Sequence, residues 1–161
     1  MTRSSGCSSR SGVAELVPGE SSLANWIASL PPDWTEGCDP RAIERAYAAY
    51  QSPGRHYHTW EHVVTCVERL KTFQCERPRP IFLALVFHDA VYVAWSTDNE
   101  LQSAALARET LSSLCVIGAD EAESIERMIL ATRDHRAHAG MLSIDEATML
   151  DIDLSILAAS P

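Results

Sequence analysis

Hydrophobic positions recur at three- and four-residue spacing along most of this chain, and no stretch alternates long enough to suggest a strand. Ser21 or Ser22 can cap a short helix that runs to Leu30 and stops at Pro31-Pro32. Ile43, Ala46, Tyr47 and Tyr50 form the next stripe, opened by the cap-plus-proline pair Asp39-Pro40 and closed by Ser52-Pro53-Gly54. Val63, Val67 and Leu70 mark a helix that opens within Arg55-His56-Tyr57-His58-Thr59-Trp60-Glu61-His62 and continues to about Phe73. The following helix, expected from about Pro80 to Val93, is apolar almost throughout. Thr97 or Asp98 can cap a helix from about Asn99 to Cys115. Asp120-x-x-Glu123 and Ser143-x-x-Glu146 are capping-box patterns for two more, to about Arg136 and Ala158. Six or seven helices with short connections predict an all-α bundle. Residues 1–20, rich in serine and other small residues, read as a disordered leader, which leaves one helical domain over 21–161.

Composition narrows the function classes. With 46 % apolar and 22 % charged residues the chain is ordinary for a folded domain. Thirteen basic against twenty-two acidic side chains leave a formal charge of −9, which argues against a nucleic-acid polymer as partner. A small phosphorylated substrate is still compatible, because a bound cation supplies local positive charge. The five cysteines, Cys7, Cys38, Cys66, Cys75 and Cys115, are odd in number and contain no C-x-x-C pair. Cys66 and Cys115 fall in helical segments and read as small apolar residues, so neither a disulfide framework nor a zinc knuckle is expected, and a reducing cytoplasm fits best. No run of about 18 apolar residues predicts a membrane span, and Arg3 and Arg10 precede no apolar signal segment.

One feature stands out against the apolar background: the dipeptide His88-Asp89 inside Ile81-Phe-Leu-Ala-Leu-Val-Phe-His-Asp-Ala-Val-Tyr-Val93. An imidazole and a carboxylate are costly to bury unless something satisfies them, and a cation satisfies both. On a helix the two side chains diverge by about 100°, so an ion has to sit over their shared edge. Asp153 lies between Leu150 and Leu157 on an apolar stripe, whereas Asp151 is about 200° away around the helix, which makes Asp153 the better buried carboxylate. His58 and His62 share a face if the helix begins by Tyr57; if Thr59 is the cap, only His62 is helical. The ordered set His62, His88-Asp89, Asp153 offers two imidazoles and two carboxylates, a donor set for Mn, Fe, Co, Ni or Zn rather than Mg alone.

In this arrangement the chain resembles the HD-domain superfamily of metal-dependent phosphohydrolases, in particular a branch of bacterial predicted HD-superfamily hydrolases. The matching segments are Tyr57-His58-x-x-Glu61-His62, Phe87-His88-Asp89-x-x-Tyr92, Asp98-Asn99-Glu100-x-x-Ser103-Ala104, Ile129-Leu130-Ala131-Thr132-x-x-His135 and Leu150-Asp151-x-Asp153-Leu154-x-Ile156-Leu157, over about residues 40–158. The resemblance implies an HD-domain-like bundle with His62, His88, Asp89 and Asp153 as metal ligands. Some members carry an acidic residue three or four positions after the His-Asp pair; Tyr92 and Val93 stand there, which passes that role to Asp98 or Glu100. The chain stops at Pro161, soon after Asp153, where relatives usually continue, and this carries the expectation of a C-terminal truncation.

The implied activity is hydrolysis of a phosphoester or phosphoanhydride in a small molecule, with a nucleotide the expected substrate. Asp89 would orient or deprotonate the attacking water. Arg55, His58, Arg133 and His135 are candidates to hold phosphate or protonate the leaving oxygen, and Glu100 to order a water or a ribose hydroxyl. Two other readings stay open: a di-iron oxygenase recruiting His58 and His135 as extra ligands, and a non-catalytic ligand-binding or truncated module. The oligomeric state is open, a homo-oligomer included.

Overall fold

The computed structural model describes residues 20–53, 55, 58–133 and 142–157. Among them lie eight helices and no strand: α1 (Glu20–Ala28), α2 (Pro32–Thr35), α3 (Arg41–Tyr50), α4 (Trp60–Leu70), α5 (Pro78–Phe87), α6 (Asn99–Leu114), α7 (Ala119–Ala131) and α8 (Ile144–Leu157). The fold is all-α, as the periodicity predicts. Among the described residues no helix is long and apolar enough to cross a membrane.

The apolar helix is the axis of the molecule. Every residue of α5 from Pro80 to Phe87 is buried, and α2, α4, α6, α7 and α8 pack around it. A helix that is hydrophobic on all sides has no solvent face and becomes the centre of the core. It is shorter than expected, ending at Phe87 rather than at Val93. The cause is a set of foreign partners for the backbone beyond it. The Asp89 and Ala90 carbonyls accept from Arg55 Nη1 at 2.7 Å and Nη2 at 2.6 Å. The Asp89 N–H donates to the Tyr50 hydroxyl at 3.3 Å, and the Val91 N–H to Ser103 Oγ at 3.0 Å. These side chains satisfy groups that a continuing helix would have paired internally.

Two helices are fixed in ways that bear on the site. α4 begins at Trp60 with Thr59 as its N-cap residue, so His58 lies in the preceding loop and His62 in the first turn. Trp60 is held edge-on by Trp26, Tyr47 and Tyr50, with ring centroids 5.3, 5.2 and 5.6 Å away. α8 is opened by the expected capping box: the Ser143 N–H donates to Glu146 Oε2 at 2.7 Å and the Glu146 N–H to Ser143 Oγ at 3.2 Å. Glu146 also accepts from Arg127 Nε at 3.0 Å, which ties α8 to α7. The capping box expected at Asp120 does not form; α7 starts at Ala119 after Gly118, without a side-chain cap bond.

The cysteines correct another expectation. Cys38 and Cys115 are joined as a disulfide. Their backbones meet in an isolated antiparallel bridge, with Asp39 N–H donating to Leu114 O and Val116 N–H to Gly37 O, both at 2.8 Å. Gly37 has φ +68 there, and a Cβ on it would stand 3.3 Å from that of Val116, so the bridge calls for glycine. The pairing joins chain positions 77 residues apart, a separation that spacing rules cannot read. It also removes the argument from unpaired cysteines for a reducing compartment.

Candidate metal centre

Four donor atoms from three regions of the chain meet at the C-terminal end of α5. His62 Nε2 in α4 lies 3.3 Å from His88 Nε2 and 2.8 Å from Asp153 Oδ1 in α8. His88 Nε2 is 3.1 Å from Asp89 Oδ2 and 3.5 Å from Asp153 Oδ1. His88 closes the helix, still with helical backbone angles, and Asp89 lies just beyond it; their side chains meet over the shared edge, Nε2 to Oδ2 3.1 Å. Asp153 is buried on the inner face of α8 beside Met149 and Ile152, while Asp151 is exposed.

The ring orientations are informative. His88 Nδ1 lies 2.8 Å from the Leu85 carbonyl, a bond that only a protonated Nδ1 can donate, so Nε2 is the nitrogen aimed at the cluster and carries the free lone pair when the ring is neutral. That arrangement is how metal-binding histidines are commonly oriented. Two imidazole nitrogens face each other across 3.3 Å between carboxylates, a spacing that a shared proton or a cation satisfies. Donors held at about 2.0–2.2 Å from one ion stand about 3.0 Å apart at right angles and about 3.4 Å apart at tetrahedral angles. The observed separations of 2.8–3.5 Å match that range. The residues therefore fit a borderline divalent cation.

Protons take the cation's part in the metal-free charge balance. Burial opposes a charge on His88, but the Asp89 and Asp153 carboxylates outweigh it and push its pKa well up. Burial likewise opposes ionisation of Asp89 and Asp153; neighbouring imidazoles, chiefly His88 for Asp89 and His62 with His88 for Asp153, prevail and hold both below the usual carboxylate range.

His58 joins from the loop before α4. Its Nδ1 is 2.7 Å from Asp89 Oδ2, and this bond, against a smaller cost of burial, raises its pKa. The ring stacks near Tyr92 with centroids 4.7 Å apart. Side-chain exposure climbs from 1 % at His88 through 16 % at Asp89 to 40 % at His58, so the centre opens to solvent on the His58 side.

The remaining sequence candidates are placed differently. Arg55 donates from Nη1 to the carbonyls of His58 and Asp89 and from Nη2 to those of Ala49 and Ala90. Its fork is committed to backbone rather than left open for phosphate. Glu100 sits in the first turn of α6 and Arg133 is exposed just past α7; among the described residues the cluster's hydrogen bonds reach neither. His135 lies outside the described residues.

Three contributors escape the sequence reading. Tyr50 and Ser103 hold the backbone of the His-Asp turn. Cys66, read as a small apolar residue, places Sγ 3.6 Å from His62 Nε2; its position four residues after His62 on the same helix was the available signal. Burial, with Asp153 and Asp89 nearby, pushes its thiol pKa up.

No protein-family model, curated protein or solved structure matches this chain.

Proposed function

We propose that this chain is a metal-dependent phosphohydrolase of the HD type, acting on a phosphoester or phosphoanhydride of a small molecule, with a nucleotide as the leading substrate class. The observation that carries this reading is the convergence of the His62, His88, Asp89 and Asp153 side chains, with His62–His88, His62–Asp153, His88–Asp89 and His88–Asp153 donor separations of 2.8–3.5 Å. Their order along the chain, histidine, His-Asp, aspartate, supports the same reading.

A divalent cation at this point supplies Lewis acidity, offsetting phosphoryl charge and making water more acidic. Asp89 would orient the attacking water, because its Oδ2 is already fixed between His58 and His88. His58 is the general acid: its Nδ1 is bonded to Asp89, which fixes the ring so that Nε2 can deliver a proton to the leaving oxygen. Arg55 positions the His-Asp turn instead of binding phosphate. Phosphate contacts then fall to Arg133 and His135, and an outer role to Glu100.

Metal analysis of protein purified without chelator, paired with a nucleotide hydrolysis screen, tests this. Wild type is expected to carry metal and to hydrolyse at least one phosphoester. His88→Ala and Asp153→Ala are expected to lose the metal and at least about a hundredfold in rate, since outer-sphere losses alone reach that size. Full metal content in both variants would overturn the site.

A further inference from the structure

We propose that the Cys38–Cys115 disulfide is a reversible exchange site for low-molecular-weight thiols, with Cys38 as the sulfur that leaves when the bridge opens and attacks when it closes. The site lies at the N-terminal end of α5, away from the metal centre, and does not depend on the hydrolase reading. Arg79, in the first turn of α5, places Nη2 3.7 Å from Cys38 Sγ, a contact that singles out this sulfur of the pair. A neighbouring guanidinium favours the thiolate, and the sulfur with the more stable thiolate is the better leaving group. Glu121, paired with Arg79 Nη1, fixes the guanidinium and partly offsets its charge. Both cysteines are half-buried rather than sealed in the core, so a small thiol reaches them. The frame around the bridge is also independent of it. Asp39 N–H donates to Leu114 O and Val116 N–H to Gly37 O, both at 2.8 Å. Arg79 Nη2 donates to the carbonyls of Glu36 at 3.1 Å and Val116 at 3.2 Å, one on each of the two segments. None of these bonds needs the sulfur–sulfur link, so the opened thiols stay face to face and re-close without the entropy cost of a long loop.

In opening, a small-molecule thiolate attacks Cys115 Sγ. The sulfur–sulfur bond breaks, a mixed disulfide forms on Cys115, and the electron pair leaves on Cys38, whose thiolate faces Arg79. A second small thiolate attacks the small molecule's own sulfur in that adduct, forms the small disulfide and releases Cys115, which takes a proton. Two small thiols are oxidised, and the protein pair gains their two electrons. Closing runs the same steps backwards, with Cys38 attacking the adduct on Cys115.

The test follows the full chain in glutathione buffers, with acid quench, alkylation and peptide mass spectrometry to separate Cys38 and Cys115 from Cys7, Cys66 and Cys75. Folded wild type is expected to open and re-close, with the glutathione adduct on Cys115. Arg79→Gln is expected to open severalfold more slowly and to shift the equilibrium about tenfold toward the disulfide, or about 30 mV for two electrons. Glu121→Gln keeps the guanidinium and removes the charge that offsets it; it is expected to open faster and to shift the equilibrium toward the dithiol. Opposite shifts separate an electrostatic effect from loosening of the fold, which speeds opening in both variants. The adduct position in wild type is a readout that needs no variant to fold. An adduct on Cys38, faster opening in both variants, no shift in either, or a bridge that opens only where circular dichroism shows the chain unfolded overturns the proposal.

Discussion

Arg55 donates to four carbonyl oxygens, and two of them belong to Asp89 and Ala90, directly behind the cluster. A lysine at this position has a point charge and no planar fork, so it leaves several of those carbonyls unpaired. Arg55→Lys is expected to cost about 2–4 kcal/mol in urea unfolding and to lower metal stoichiometry by loosening Asp89; an unchanged midpoint would mean that the turn is held by other groups. The titrating groups make a second prediction. Asp89 and Asp153 have depressed pKa values, so their contribution is present above the unfolded value of about 4 and is lost as pH falls below it. His58 and His88 have raised values, so theirs is complete below about pH 6.5 and is lost as pH rises through the folded values. Metal-free protein should therefore be most stable between about pH 4 and 6.5, and its Tm in chelator should decline from pH 6.5 to 8. A Tm that climbs over that range contradicts the charge balance described here. The cluster's donors were legible as candidates because imidazoles and carboxylates are conspicuous on apolar stripes. Arg55 was not, because its partners are main-chain atoms that no side-chain pattern reveals, and Cys66 was not, because a buried thiol looks like any small apolar residue.

At the scale of elements, spacing rules located the main helices, since each presents a recurring apolar face. They failed where the terminating force is tertiary. The segment after α5 stays apolar through Ala90, Val91 and Val93, so nothing local says that the helix stops; Tyr50, Arg55 and Ser103, from distant parts of the chain, stop it. α2, a single turn, falls where the sequence shows only a proline break. The capping boxes make the same contrast: similar patterns at Asp120 and Ser143 yield one cap and not the other, because α7 begins two residues earlier, with Gly118 as its N-cap residue. α8 carries Asp153 and depends on its cap for the first turn. Ser143→Ala should lower stability by about 1 kcal/mol in chemical denaturation while leaving metal stoichiometry unchanged. Loss of the metal in that variant would show that the cap positions Asp153 as well as stabilising the helix.

Across the whole molecule, the disulfide and the cluster stand at opposite ends of α5. Arg79, in the first turn of α5, reaches Cys38 Sγ at 3.7 Å and pairs with Glu121, whereas His88 closes the other end. Closing a loop of 77 residues constrains the unfolded chain by about 4 kcal/mol on the chain-entropy account. Cys115→Ser should lower unfolding stability by up to that amount and leave bound metal unchanged, as read by urea titration with elemental analysis. Equal stability with and without the bridge would count against its closure in solution.

Placing α5 at the centre has a further consequence. Ile81-Phe82-Leu83-Ala84-Leu85-Val86-Phe87 is seven consecutive apolar residues, uncharged and without proline, a stretch prone to cross-β association once uncovered. It is harmless only while its neighbours surround it. Arg79 with Pro80 on one flank and His88-Asp89 on the other are the gatekeepers that interrupt its stickiness. The pair proposed to hold a cation thus also borders the segment most able to drive clumping.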